Sequence, residues 1–356
     1  MVDTRWNERL KQTAKGMAIA GGAVTAVGAA AAGLAAWAGY AAWRRHGQFD
    51  LAGKTTLITG GSRGLGYAVA REFLRQGSRV AICARDPLEV KRAVAKLEGM
   101  GPVFSVVQDL TQPGAAEAAI AAVRQHWGPV EVLVHDAGVM HVGPWEQATE
   151  EEFRYAMELH CWAALRLARL VLPEMIARRQ GRIVNISSIG GLVPVPHMLP
   201  YVTSKFALTG LSQGLATEVR RHGVRVTCVC PFLVRTGSQE GVTVKGHHER
   251  EFAWFAFAGS MPGLAEEAGL AARSIVRACR QGQAEVVLWL PAKLAALAHG
   301  VAPSAVTAVM GMAAGLLPEA VAGGTAPRRG AESYNRWGRR LIRPLVQSAG
   351  AGLNQA

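Results

Sequence analysis

The chain has 356 residues, half of them hydrophobic, and a formal net charge of +13; it can bury one α/β domain of roughly 250 residues and still carry extensions. Nine of those charges lie outside the central stretch, as +2 in residues 1–15, +2 at Arg44 and Arg45 and +5 from 324 onward, which suits an anionic lipid surface better than a nucleic-acid groove. The five cysteines include no C-x-x-C pair and no Cys/His metal spacing, so no metal site is expected and a reducing, cytoplasm-facing compartment is. Basic tails that only aid solubility, or that bind nucleic acid, are the competing readings.

Residues 1–15 form a basic tail. Residues 16–43 carry no charged side chain, and about 20 apolar residues suffice to cross a hydrocarbon core. A hydrophobic membrane-anchor helix is therefore predicted over 16–43. Trp37, Tyr40 and Trp43 gather at its end, ahead of Arg44 and Arg45, as a membrane–water interface favours. Alanine and glycine dominate the stretch and contribute little transfer free energy, so a helix dipping into one leaflet and a soluble Ala-rich helix stand as alternatives. Basic residues on both sides leave the orientation open.

From 50 to 290 short β-branched runs alternate with helical stretches. Strands are predicted at 54–59, 78–84, 102–108, 130–135, 182–187 and 224–230. Helices are predicted at 64–77, 87–99, 112–127, 150–179 and 200–222, with a last helix and strand in 264–290. This alternation, with near-continuous apolar strands, predicts a parallel sheet covered on both faces. Residues 291–356 form an apolar, then Arg-rich, C-terminal extension. Pro303 and Pro318 limit any helix in 291–324 to about fourteen residues, too short to span; packing into the core is favoured over lying on a membrane. An interfacial amphipathic helix is predicted for 326–343, with a disordered basic tail as the alternative.

The first predicted strand runs into TGGSRGLG, residues 59–66. Gly60 permits a tight turn, and Gly64 and Gly66 allow close approach to a pyrophosphate at the following helix N-terminus. The second strand ends at Ala84, where an NAD-selective site would want an acid. Arg85 and Arg63 flank that place and could hold a 2′-phosphate, which favours NADP(H), with NAD(H) as the alternative. Asp86 before Pro87 reads as a helix N-cap. The fifth strand ends at Ser187-Ser188, followed thirteen residues later by Tyr201 and four after that by Lys205. Tyr201 and Lys205 share one helix face, and an ammonium near a phenol would lower its pKa toward the working range.

These residues together resemble the short-chain dehydrogenase/reductase family, as a membrane-associated bacterial-type member. The resemblance covers about 50–290 and rests on TGGSRGLG, Asp109-Leu110, the Ala-Gly of HDAG (135–138), NISS (185–188), YVTSK (201–205) and CPFLVRT (230–236). It implies a Rossmann-type doubly wound sheet in the order 3-2-1-4-5-6-7. It implies that Tyr201 is the general acid/base, that Lys205 binds the nicotinamide ribose and tunes Tyr201, and that Ser188 orients the substrate oxygen. It implies cofactor contacts at Gly60, Ser62, Arg63, Gly64, Leu65, Gly66, Arg85, Asp109, Leu110, Ala137, Gly138, Pro231 and Thr236, with Tyr201 and Lys205, and a homodimer or homotetramer.

Three positions depart from the family pattern. His135-Asp136 replace Asn-Asn, Phe232 replaces the glycine after Pro231, and His160 stands where a catalytic asparagine is usual. His160 could take over the proton relay, since imidazole both donates and accepts, or could be a packing residue. Phe252, Trp254, Phe255, Phe257 and Met261 in the substrate-closing segment suit an apolar steroid-, retinoid-, acyl- or polyketide-like carbonyl or alcohol. The competing function is a catalytically silent NADP(H)-binding sensor or scaffold at a membrane.

Overall fold

The computed structural model describes residues 48–261 and 265–355; the predicted tail at 1–15 and anchor helix at 16–43 lie outside them. Among the described residues no helix is long and apolar enough to cross a membrane.

Seven strands form one parallel sheet: β1 (Thr55–Thr59), β2 (Arg79–Ala84), β3 (Val103–Val107), β4 (Val132–His135), β5 (Gly181–Ile186), β6 (Val224–Cys230) and β7 (Glu285–Val287). Their spatial order is 3-2-1-4-5-6-7, as the resemblance implies. Every residue of β1 is buried, because helices cover both faces. The two-residue period of the strand sorts its side chains. Leu57 joins Ala81, Leu133 and Ile183 under α3 (Ala115–Trp127) and α5 (Ala163–Ala177). Ile58 joins Val80, Ile82 and Val134 under α1 (Gly64–Arg75), α2 (Pro87–Leu97) and α8 (Ala268–Gln281). Each such aliphatic side chain contributes about 1.5–3 kcal/mol by leaving water.

The predicted long helix at 150–179 is one continuous rod with a flaw. A capping box of Thr149 and Glu152 starts α4 (Glu150–Met157), a π-turn follows at Glu158–Trp162, and α5 continues to Ala177. The π-turn buries His160 and Cys161. Helix α6 (Leu199–Val219) carries Tyr201 and Lys205, and α7 (His248–Ser260), not predicted from the sequence, follows the sixth strand.

The C-terminal extension corrects two expectations. The apolar run at 291–324 does not enter the core. It forms a hairpin of α9 (Leu290–Val301) and α10 (Pro303–Ala314), split at Pro303 as its ring requires. Leu294 is 58% exposed, Leu297 65% and Val301 78%; Ala292 is the only buried residue of α9, and α10 has none. Helices this apolar are ordinarily covered by a core or a membrane, yet among the described residues little packs against these two. The Arg-rich segment is neither disordered nor helical from 326. Arg328–Arg329 instead pair antiparallel with Thr243–Val244. Tyr334 is buried edge-on against Phe252 at 4.8 Å, and its hydroxyl donates to Glu240. Helix α11 (Arg336–Gly350) starts only after Asn335, whose side chain accepts the Gly338 N–H at 2.6 Å. Val346 of α11 is buried, while Trp337 and Leu341 face outward.

Candidate active site

In the sheet β1 has β2 on one side and β4 on the other, so strand order reverses there and a crevice opens beyond the carboxyl ends. The register places Thr59 beside Cys83 and His135, and His135 beside Asn185. Around this point lies a cleft of about 580 Å³, a volume in the range of small-molecule and cofactor sites. Every catalytic and cofactor residue named from the sequence lines it except Gly66.

At one end the chain turns through Gly60 at φ +71°, where a Cβ would stand 2.8 Å from the Ala137 nitrogen. A Cβ on Gly66 would meet the Gly60 carbonyl at 2.3 Å. Gly66 therefore serves the packing of α1 against the turn. Asp86 caps α2, its Oδ1 accepting from the Leu88 and Glu89 N–H groups at 2.8 and 3.0 Å. Those bonds, the one to Glu89 above all, hold its carboxyl below the usual range. Arg85 Nη1 donates to the Tyr155 hydroxyl at 2.8 Å, and Arg63 pairs with Glu89 at 3.4 Å. Asp109 closes a local turn onto Thr111. Tyr155 and Glu89 had no signal in the sequence, because their partners lie 70 and 26 residues away.

At the other end β5 delivers Ser187 and Ser188, and α6 delivers Tyr201 and Lys205. Ser187 Oγ donates to the Lys205 carbonyl at 3.0 Å, and Asn185 Nδ2 donates to Ser212 Oγ at 2.9 Å, which fixes α6 to the strand. Ser188 Oγ accepts the Gly190 N–H at 3.1 Å and also hydrogen bonds with the Tyr201 hydroxyl. Lys205 Nζ donates to the Ile186 carbonyl at 2.8 Å and lies 5.6 Å from the centre of the Tyr201 ring. Burial pushes the Tyr201 phenol up to about 12, although the Ser188 bond pulls it down. The expected lowering by Lys205 is thus reversed: the phenol is desolvated, and the nearby charge faces Asp136 and a carbonyl. Burial draws the Lys205 ammonium down, and the Asp136 carboxylate holds it up; burial also raises Asp136 itself.

The two unusual histidines are bound at both nitrogens. His160 Nε2 accepts the Val139 N–H at 3.0 Å, so Nδ1 carries the proton and donates to Ser204 Oγ at 2.8 Å. Ser204 in turn donates to the Tyr201 carbonyl at 2.8 Å. Burial, then the Lys205 charge, holds the His160 imidazole well below its ordinary value. The neutral ring thus ties the segment after β4 to α6, with both nitrogens engaged by Val139 and Ser204. His135 Nδ1 faces Thr59 Oγ1 and Nε2 faces the Leu159 carbonyl, both at 3.0 Å. Burial pushes that ring down to about 3.

Beyond Tyr201 the cleft is walled by Met140, Val195, Met198, Trp254, Phe255 and Ala258. Of the aromatics anticipated there, Trp254 and Phe255 line the cleft, Phe252 is buried in the core, and Phe257 is exposed.

A family model described as short chain dehydrogenase matches residues 54–245. The oxidoreductase UcpA of Escherichia coli (strain K12) is 34% identical over 201 residues, which are 56% of this chain and 76% of that protein. Among solved structures, L-sorbose reductase from Gluconobacter frateurii, complexed with NADPH and L-sorbose, superimposes with a TM-score of 0.60 at 27% identity, over 67% of this chain and 97% of that one. A short-chain dehydrogenase from Streptomyces avermitilis reaches a TM-score of 0.63 at 28% identity, over 74% and 98%.

Proposed function

Since the chain belongs to the short-chain dehydrogenase family, and so is an oxidoreductase acting on an alcohol or carbonyl group with a nicotinamide cofactor, we propose that it uses NADP(H) on an apolar substrate at a membrane surface. The observation that carries this reading is one continuous cleft, with Arg63 and Arg85 at one end and Ser188, Tyr201 and Lys205 at the other.

The donor set fits a dinucleotide phosphate. Ala84 leaves the end of β2 without an acid, and two guanidinium groups border that place. A structural relative solved with NADPH supports the assignment. When bound, the nicotinamide supplies or accepts the hydride. The chain's own residues handle the oxygen. Ser188, whose Oγ is already held by the Gly190 N–H, orients the carbonyl. Tyr201, kept neutral by burial, carries the proton that a reduced carbonyl oxygen needs. Lys205 places a positive charge beside the phenolate that results. His160 and Ser204 fix the backbone under Tyr201.

The apolar wall past Tyr201 favours a steroid-, retinoid-, acyl- or polyketide-like carbonyl over a sugar. Two features support a lipid surface: the uncharged run at 16–43 and the exposed hairpin of α9 and α10. The test is loss of NADPH absorbance with a panel of apolar ketones and aldehydes. Turnover that vanishes in Tyr201→Phe supports the enzyme. Saturable nucleotide binding without turnover across the panel supports the silent sensor instead.

A further inference from the structure

The last described residues reach back over the nucleotide end of the cleft. After α11, Leu353 inserts its side chain into the core formed by α1 and the sheet, where it is 7% exposed. Its carbonyl accepts the Gly64 N–H at 2.9 Å, at the first turn of α1. Asn354, 3% exposed, sends Nδ2 to the Ser62 carbonyl at 2.7 Å and to the Glu89 carbonyl at 3.2 Å. Its Oδ1 accepts from Lys96 Nζ at 2.9 Å. Gln355 then crosses to the opposite lip, donating to the Thr236 carbonyl at 2.8 Å, and itself lines the cleft. Gly237 and Gly350 meet so closely that a Cβ on Gly237 would stand 2.8 Å from the Gly350 Cα.

We propose that Gly350–Gln355 is a clamp of the nucleotide site, tying the glycine-rich loop to the Thr236 loop across the cleft and slowing the release of NADP(H). The proposal rests on the nucleotide reading given above. Three observations set it apart from a mere end of chain. The segment holds both lips at once. It is anchored from outside the cleft through Lys96 on α2. It leaves about 580 Å³ of cleft open while docked. A loop already fixed in its bound shape gives up less freedom on binding, which strengthens affinity and slows departure.

The experiment uses the full chain, with NADPH as the probe, in fluorescence titration and stopped-flow displacement. Asn354→Gly is the first variant, because Asn354 sits at φ +56° and glycine keeps that backbone without strain while removing the amide. Lys96→Met is the second, since Lys96 does not line the cleft. Deletion of 351–356 is the third. Release of NADPH about tenfold faster in Asn354→Gly, with Kd raised about as much and the nucleotide-free melting temperature retained, is the expected result. Lys96→Met should move release in the same direction by a smaller factor. Release in Asn354→Gly and Lys96→Met as slow as in the wild type would overturn the clamp while leaving the nucleotide reading intact. Tighter binding on deletion would overturn it too, showing a competing tail. A wild type that does not bind NADPH at all would remove the nucleotide reading, and the clamp with it.

Discussion

The carboxyl ends of β1, β4 and β5 and the hairpin of α9 and α10 are both rich in small apolar residues, yet they end in opposite environments. At the strand ends the two buried histidines are partnered at both ring nitrogens: His135 bridges Thr59 and Leu159, and His160 bridges Val139 and Ser204. The hairpin has almost nothing to satisfy and almost nothing to bury against. Apolar content alone does not decide burial. A side chain is buried when its element has one face to offer and a neighbour to receive it.

Substitution should separate the two regions most sharply at His160. Replacing it with alanine strands the Val139 N–H and loosens Ser204, and should lower unfolding stability by about 2–4 kcal/mol in denaturant titration. In the hairpin, Leu294→Glu with Leu297→Glu should leave stability within about 0.5 kcal/mol while weakening sedimentation with anionic vesicles. A large stability loss in that double variant would break the comparison, because the hairpin would then belong to the core.

The strand ends should also give a pH signature that the hairpin lacks. His135 and His160 are held neutral by burial, their folded pKa values depressed below the ordinary 6.5. A base of that kind contributes stability above its unfolded pKa and loses it as the pH falls. Melting temperature should therefore drop as pH goes below about 6.5, and His160→Asn should flatten that slope. Arg85→Ala should raise KM for NADPH about tenfold with little change for NADH, measured by steady-state kinetics. The smallest effect is at Asp136. Its carboxylate keeps the proton on Lys205, so in Asp136→Asn the ammonium deprotonates at lower pH. The alkaline limb of the kcat/KM profile should move acidward, by less than about one pH unit.

What could be read from the sequence was local. The glycine turn at 59–66 and the Tyr201–Lys205 pair fall within eight and five residues, and their spacing carries their meaning. The strand order followed from the family resemblance. His160 was legible as an oddity only, because its partners lie 21 and 44 residues away. The phenol's raised pKa was invisible for a similar reason: sequence shows a neighbouring charge but not desolvation. Asn354, 292 residues from Ser62, left no trace, and the exposure of α9 and α10 could not be told from core packing by composition.

The π-turn at Glu158–Trp162 has a consequence for how the rod that contains it tolerates length changes. An α-helix advances about 100° per residue, and the wider π-turn takes up one extra residue without adding that rotation. Tyr155 points at Arg85 while Leu167 points into the sheet only because the extra residue is absorbed between them. Excising a single residue from 158–162 would therefore restore an ordinary helix with both halves still aimed as they are, whereas excising one from the α-helical turns between Tyr155 and the π-turn would swing Tyr155 away from Arg85.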